Sequence, residues 1–491
     1  MLIKINCNLG SFNGLLVQTH SVKIEEKISC LNIKFNTTDN AWLQFMLWDP
    51  LGRLRMQHLH LDKQSSIIIS EKLNENGCTV AGGDLPIGEY TLEMFVDIRN
   101  NIEYEIIIEN KSSANVDNGF ELWTDGNYLS REIFLNKYDY TKKLSEESRW
   151  YSGDCHTHSI ISDGKQTVKG SMASAEKIGL DFYFITEHNI LPTAWAKGSV
   201  LAIPGIEITW ETGHFNALGL NKWIDFRLNS IDGGLSTEAG MNRLLHDATN
   251  NGSICSINHP SLYPYSWQYN DTLIKNIDTI EIINDPTFLD NKLATEKALI
   301  LWNILWQDGH KVWGIGASDS HILPEEKHQG SNSPSLIGDP KTWVYSNGLS
   351  PEGIIDSIKQ GRVYVSRGPE MHMSINCEGE EYLPGSDLSE HFNRNKKMLL
   401  QYSIKIDGME EECELRFIEN NVEVICRKII NGENYNFQFL WSGEDYIWNR
   451  IELKNKKGDL LLFTNPIFKG KGEKILKNWG ELLKKTKVYK C

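Results

Sequence analysis

The sequence predicts a multidomain protein with a central, largely parallel α/β unit between two β-rich domains, and three observations carry that reading. The chain has 491 residues, more than one hydrophobic core usually supports. Up to residue 147 it reads as short alternating strands split by turn residues; between 148 and 368 apolar strands alternate with amphipathic helices. From 369 onward strand-and-turn character returns. The expected domains are therefore a β-sandwich-like unit over 1–147, an α/β unit over 148–368, and a β-domain with a closing helix over 369–491.

The elements follow in chain order. Residues 41–48, 88–96 and 101–108 alternate as antiparallel strands do, and no helical period persists around them. In the central unit, residues 182–186, 253–258, 279–284 and 312–317 read as strands, whereas 167–178, 237–249, 294–307 and 351–359 carry helical spacing. Such alternation implies a parallel sheet or barrel with function at the C-terminal strand ends. Beyond Gly368-Pro369, residues 399–406, 422–430 and 446–453 are strand-like, and a basic helix is expected over 474–485, its lysines complementing the helix dipole.

Composition removes several function classes. A net charge of −15 offers no basic footprint for nucleic acid. No run approaches the roughly 18 apolar residues of a membrane span, and Met1 to Gly10 has no secretory pattern, so a soluble cytoplasmic protein is expected. Nine cysteines without a C-x-x-C pair argue for buried thiols rather than a disulfide framework or a cysteine zinc site.

The chemistry concentrates at strand ends. His156-Thr157-His158-Ser159, followed by Ser162-Asp163-Gly164, places two imidazoles at i and i+2, on one side of an extended segment. His58-Leu59-His60 repeats the spacing without a carboxylate or glycine turn nearby and reads as one solvated strand face. Four further apolar strands each end in ligand-type residues: Glu187-His188-Asn189, Glu207, Asn258-His259-Pro260 and Asp319-Ser320-His321. Imidazoles and carboxylates gathered in one mouth are costly to bury unless cations neutralise them. Of the 14 histidines, His156, His158, His188, His214, His259 and His321 belong to this set, while His246, His310, His20, His328, His372 and His391 read as ordinary helix, loop or strand positions.

Together these motifs, covering about residues 150–367, resemble the polymerase and histidinol phosphatase (PHP) superfamily of metal-dependent hydrolases. The resemblance implies a distorted (β/α)7 barrel with metals at its C-terminal face. It places His156, His158, Glu207 and Asp319 around one metal and Asp163, His188 and His321 around another, with Glu207 bridging to His259 and His214 at a second or third. Glu187 stands where the family more often has aspartate, and either Asn216 or His214 occupies a family ligand position. The order of domains, Gly213 to Gly219 and the stretch 361–369 resemble the carbaryl-hydrolase-like branch.

The resulting expectation is an enzyme holding two or three divalent ions. Mixed histidine and carboxylate ligands suit zinc, manganese or iron. A hydroxide bridging the cations would be the nucleophile, with Asp319 as base assisted by His259 or His321. Small phosphoesters are the first substrate class, as the common activity of the family resembled. Carboxyl-ester or carbamate cleavage is the alternative, favoured by the absence of arginine between Tyr151 and His214, although Arg243 and Arg367 remain candidate clamps. Tyr263, Tyr265 and Trp267 either wall the pocket or pack in the core. A non-catalytic, metal-stabilised glycan-binding protein is the remaining reading, disfavoured because structural sites normally close on four ligands.

Overall fold

The computed structural model describes residues 2–9, 14–38, 42–62, 64–98, 102–112, 117–126 and 131–488. The chain opens with strands β1 (Leu2–Leu9), β2 (Gly14–Ile24), β3 (Cys30–Thr37), β4 (Leu43–Trp48), β5 (Leu54–His60), β6 (Gln64–Ser70), β7 (Gly88–Ile98) and β8 (Ile102–Asn110). They form two antiparallel sheets, ordered β1-β8-β3-β6 and β2-β7-β4-β5. Ile33 and Phe35 of β3 and Phe45 and Leu47 of β4 share one buried cluster, so the alternation read from the sequence becomes a sandwich core. The expected strand starts at Ala41 and Asn101 lie outside the described residues.

His58-Leu59-His60 is not a solvated face. His60 is buried, the rings of both histidines pack against Phe35, and the Ser65 hydroxyl lies 2.8 Å from His58 Nε2 and 2.9 Å from His60 Nδ1. Pairing of β5 with β4 turns this stretch toward the sandwich.

The central unit contains β9 (Phe120–Leu122), β10 (Ser145–Asp154), α1 (Val168–Lys177), β11 (Phe182–Ile185), β12 (Ala194–Ala196), β13 (Leu201–Trp210), β14 (Gly213–Leu218), α2 (Glu238–Asn250), β15 (Ile254–Ile257), β16 (Thr279–Asn284), α3 (Asn291–Gln307), β17 (Trp313–Ala317), β18 (Lys341–Leu349), α4 (Pro351–Lys359) and β19 (Val363–Ser366). Thr167, Thr237 and Ser350 cap α1, α2 and α4 with side-chain oxygens. Strands β11, β15, β16 and β17 are buried along their whole length, as parallel strands covered on both faces must be.

The (β/α)7 barrel expected from the resemblance is not what the strand ladders show. Among the described residues the path runs β17-β16-β15-β14-β13-β11-β10-β18-β19, and it mixes parallel with antiparallel pairs. Two causes are local. Only two residues separate β13 from β14, which forces a hairpin where a crossover helix would be needed. At the other side β18 runs antiparallel to β10. No continuous ladder joins β17 to β10. The two are tied instead by a Thr157–Ser320 bridge and by the Asp319 amide, which donates to the His156 carbonyl at 3.0 Å.

The C-terminal residues supply β20 (Glu370–Cys377), β21 (Glu380–Tyr382), α5 (Ser389–Asn395), β22 (Lys397–Asp407), β23 (Cys413–Glu419), β24 (Val422–Ile429), β25 (Asn434–Ser442), β26 (Ile447–Lys454), β27 (Leu460–Thr464) and β28 (Ile467–Lys469). The path continues from β19 through β27, β26, β23 and β24, while β21-β20-β22-β25 form a separate sheet. In β25, Tyr435, Phe437, Phe439 and Trp441 point inward at every second position. The closing helix α6 is Trp479–Val488, starting later than 474. Lys474 and Leu476 instead bond Asp308 through their backbone amides, which holds that stretch out of the helix. No helix among the described residues is long and apolar enough to cross a membrane.

Candidate metal centre

Each strand-end motif arrives at one place. His156 and His158 follow β10, and their Nε2 atoms lie 3.0 Å apart. Oδ1 of Asp319, just beyond β17, is 3.2 Å from the first and 3.1 Å from the second. Glu207 on β13 sits in the middle, fully buried. Its Oε1 is 3.3 Å from His156 Nε2 and 3.1 Å from His214 Nδ1, and its Oε2 is 2.6 Å from His188 Nδ1. Asp163 Oδ1 is 3.3 Å from His188 Nε2 and 3.2 Å from His321 Nε2.

Three sets of ligand atoms result: His158, Asp163, His188 and His321; His156, His158 and Asp319; and His188, Glu207 and His214. His259 stands outside these sets, its Nε2 3.7 Å from Glu207 and 4.0 Å from Asp319. His214 rather than Asn216 faces Glu207. Asn216 pairs across from Glu207 in the β13–β14 ladder but turns its amide to the Cys155 carbonyl.

The donor set suits divalent cations. His259 Nδ1 is buried without a hydrogen-bond partner, and the buried oxygens Asp319 Oδ1 and Glu207 Oε2 face the ring nitrogens of His156, His158 and His188, a crowding of donor atoms whose cost a cation would remove. Burial pulls His158 down to about 3, whereas at His156, His188 and His321 neighbouring carboxylates outweigh burial and raise the rings; a bound cation would require all of them neutral. For Glu207 and Asp319 burial opposes ionisation, but the surrounding histidines outweigh it and hold both carboxyls well below the ordinary range.

A second layer orients these groups. Glu281, buried in β16, receives His156 Nδ1 at 2.8 Å through Oε1 and the backbone amide of His259 at 2.7 Å through Oε2. Asp154 accepts from the amides of His156, Ser318 and Gly338, and burial raises it to about 6. Glu187 accepts from the amides and hydroxyls of both Ser159 and Ser162, and burial raises it to about 7. The carboxylate that departs from the family pattern thus ties down the loop that carries Asp163. Asn258 donates to Glu207 at 2.8 Å, and the Thr209 hydroxyl lies 2.6 Å from His188 Nδ1. His259 and Asp319 adopt φ of 27° and 48°, strained values for side-chain-bearing residues and frequent at functional sites.

Sequence reasoning missed Glu281, Thr209 and the role of Asp154. A carboxylate inside the apolar run Thr279–Asn284 was the available signal for the first. It also missed Trp42, whose ring meets that of His188 at 5.2 Å. Of the aromatic candidates, Trp267 is buried in the core. Tyr263 is 82% exposed, and Tyr265, 49% exposed, stands 5.9 Å from the His214 ring. Arg243 is engaged by Asp232 and Asp247, and Arg367 by Asp339.

No family model and no curated protein matches the sequence. Among solved structures, the chain is similar to a two-domain protein from Bacteroides vulgatus ATCC 8482 described as containing a predicted PHP-like metal-dependent phosphoesterase, at 18% identity over 65% of this chain and 95% of that one, with a TM-score of 0.35. It is also similar to a protein of Bifidobacterium adolescentis ATCC 15703 described as a candidate metal-dependent phosphoesterase, at 15% identity over 43% of this chain and 96% of that one, with a TM-score of 0.28. A third is an amidohydrolase from Chromobacterium violaceum, at 16% identity over 37% of this chain and 91% of that one, with a TM-score of 0.24.

Proposed function

We propose that this protein is a metal-dependent hydrolase of the PHP type that cleaves small phosphoesters. The carrying observation is that the three ligand sets share members: His158 belongs to two and His188 to two, with buried Glu207 among them. A structural site normally closes on four ligands; this one continues beyond that number.

Two or three zinc, manganese or iron ions held there would supply Lewis acidity and a water that ionises near neutral pH. The chain's own residues position the rest. Asn284 donates to Asp319 Oδ2 at 3.3 Å, while Asp319 Oδ1 lies 3.2 Å and 3.1 Å from the Nε2 atoms of His156 and His158; with those nitrogens turned to metal, the carboxylate would be placed to take a proton from water. His259 and His321 stand on either side to assist.

Carboxyl-ester or carbamate cleavage is the second reading, favoured by the salt bridges that engage both candidate phosphate clamps, Arg243 and Arg367. Exposed aromatics at the site, Trp42 and Tyr265, suit an apolar group better than a phosphate.

The test is metal content by elemental mass spectrometry for wild type, His156→Ala and Glu207→Ala, followed by a panel of phosphate and carboxyl esters. Two or three equivalents, reduced in both variants and accompanied by chelator-sensitive turnover, are expected. One equivalent or none, indifferent to both substitutions, would sink the reading. Bound metal without turnover would point to a structural role.

A further inference from the structure

His328 reads from the sequence as an ordinary loop residue, yet the structure pairs it with a carboxylate beside the metal centre. Its Nε2 lies 2.6 Å from Asp285 Oδ2, and its Nδ1 has no protein partner among the described residues. The His328 side chain is 21% exposed and that of Asp285 9%. The carboxylate end of the pair is therefore buried while the imidazole reaches solvent.

Asp285 directly follows Asn284, the residue that donates to Asp319. Its backbone amide donates to the carbonyl of Ala317 at 3.1 Å, two residues before Asp319. Consecutive residues at the end of β16 thus serve Asp319 and His328. The placement is strained: Asp285 has φ 23°, a value rarely adopted by side-chain-bearing residues. Asp285 Oδ1 accepts from the amide and hydroxyl of Thr287, which leaves Oδ2 to His328, and Phe288 packs edge-on against the imidazole at 5.4 Å. The hydrogen bond to Asp285 also raises the basicity of His328.

We propose that His328, oriented by Asp285, is the acid that protonates the leaving group. This rests on the hydrolase reading. As water's oxygen bonds to phosphorus and loses a proton to Asp319, the bond from phosphorus to the leaving oxygen breaks, and its electron pair stays on that oxygen. The Nδ1 proton of His328 moves onto it. His328 is left as a neutral imidazole that keeps its Nε2 proton and donates it as a hydrogen bond to Asp285, and exchange of protons with solvent restores Asp319 and His328.

The test compares wild type with His328→Gln on substituted phenyl phosphates. Glutamine keeps a donor for Asp285 but supplies no acidic proton. Loss of a general acid costs about 100-fold or more where the leaving group is poor. We expect such a loss on 4-methoxyphenyl phosphate and a loss below about 5-fold on 4-nitrophenyl phosphate, with metal content unchanged. Equal losses on both esters, or none on either, would overturn the role. A readout independent of turnover is the downfield Nε2 proton resonance of His328. It should be present in wild type and absent in Asp285→Asn, and its absence from wild type would overturn the pairing. Wild type inert toward every ester despite bound metal would overturn the hydrolase reading and this role together.

Discussion

The Trp42 indole meets the His188 imidazole edge-on, with ring centroids 5.2 Å apart, and so joins the N-terminal sheets to the metal centre. The contact is braced nearby. The Gln57 side chain bonds both backbone groups of Leu191 at 3.0 Å, and the Thr193 hydroxyl donates to the Val80 carbonyl at 2.7 Å. The loop leaving His188 is thereby fastened to the N-terminal sheets.

Trp42→Ala should raise KM several-fold with metal content unchanged, because the ring is 36% exposed and borders the site without offering a ligand atom. Steady-state kinetics on the best ester of the panel, together with elemental analysis, would check this. An unchanged KM would show that the N-terminal sheets only support the fold.

Glu281→Gln should weaken metal binding about 10- to 100-fold, the usual effect of removing a carboxylate that orients a ligand histidine. Glu281 holds His156 Nδ1 and the His259 amide together, so both should loosen. Competition with a chromogenic chelator would measure the change. Affinity within 2-fold of wild type would refute the orienting role.

Metal should also stabilise the fold. The buried oxygens of Glu207 and Asp319 crowd against the ring nitrogens of His156, His158 and His188, and a cation would relieve that crowding. Free metal at 100 times its Kd should add about 2.7 kcal/mol, seen as an upward shift of Tm that chelator reverses. A Tm indifferent to zinc, manganese and iron would contradict the assigned ligands.

Acid should loosen the N-terminal sheets first. Burial lowers His58 to about 3 and His60 to about 4 from 6.5. The unfolded chain takes up these protons below pH 6.5 while the folded chain does not. The stability is therefore fully present above pH 6.5 and is lost as pH falls toward 4 and then 3. The slope should approach about 2.7 kcal/mol per pH unit while both rings stay neutral. Urea midpoints between pH 7 and pH 4 would show it, and His58→Gln should halve the slope. A flat profile would mean that the rings are not buried as neutral groups.

The sequence by itself determined the alternation that became the N-terminal sandwich, the buried strands of the central unit, and which strand ends carry imidazole and carboxylate. These depend on local periodicity and on the spacing of residues within single segments. Only the tertiary structure decided the rest. That His214 faces Glu207 while Asn216 does not depends on strand pairing across the β13–β14 hairpin. That His60 is buried and His58 half-buried depends on the packing of both rings against Phe35. Glu281, Trp42 and the Asp285–His328 pair reach the site from segments distant in sequence. The mixed order of the central sheet follows from a two-residue turn between β13 and β14 and from β18 running against β10. No periodicity encodes contacts between distant segments; they exist only once the chain has closed on itself.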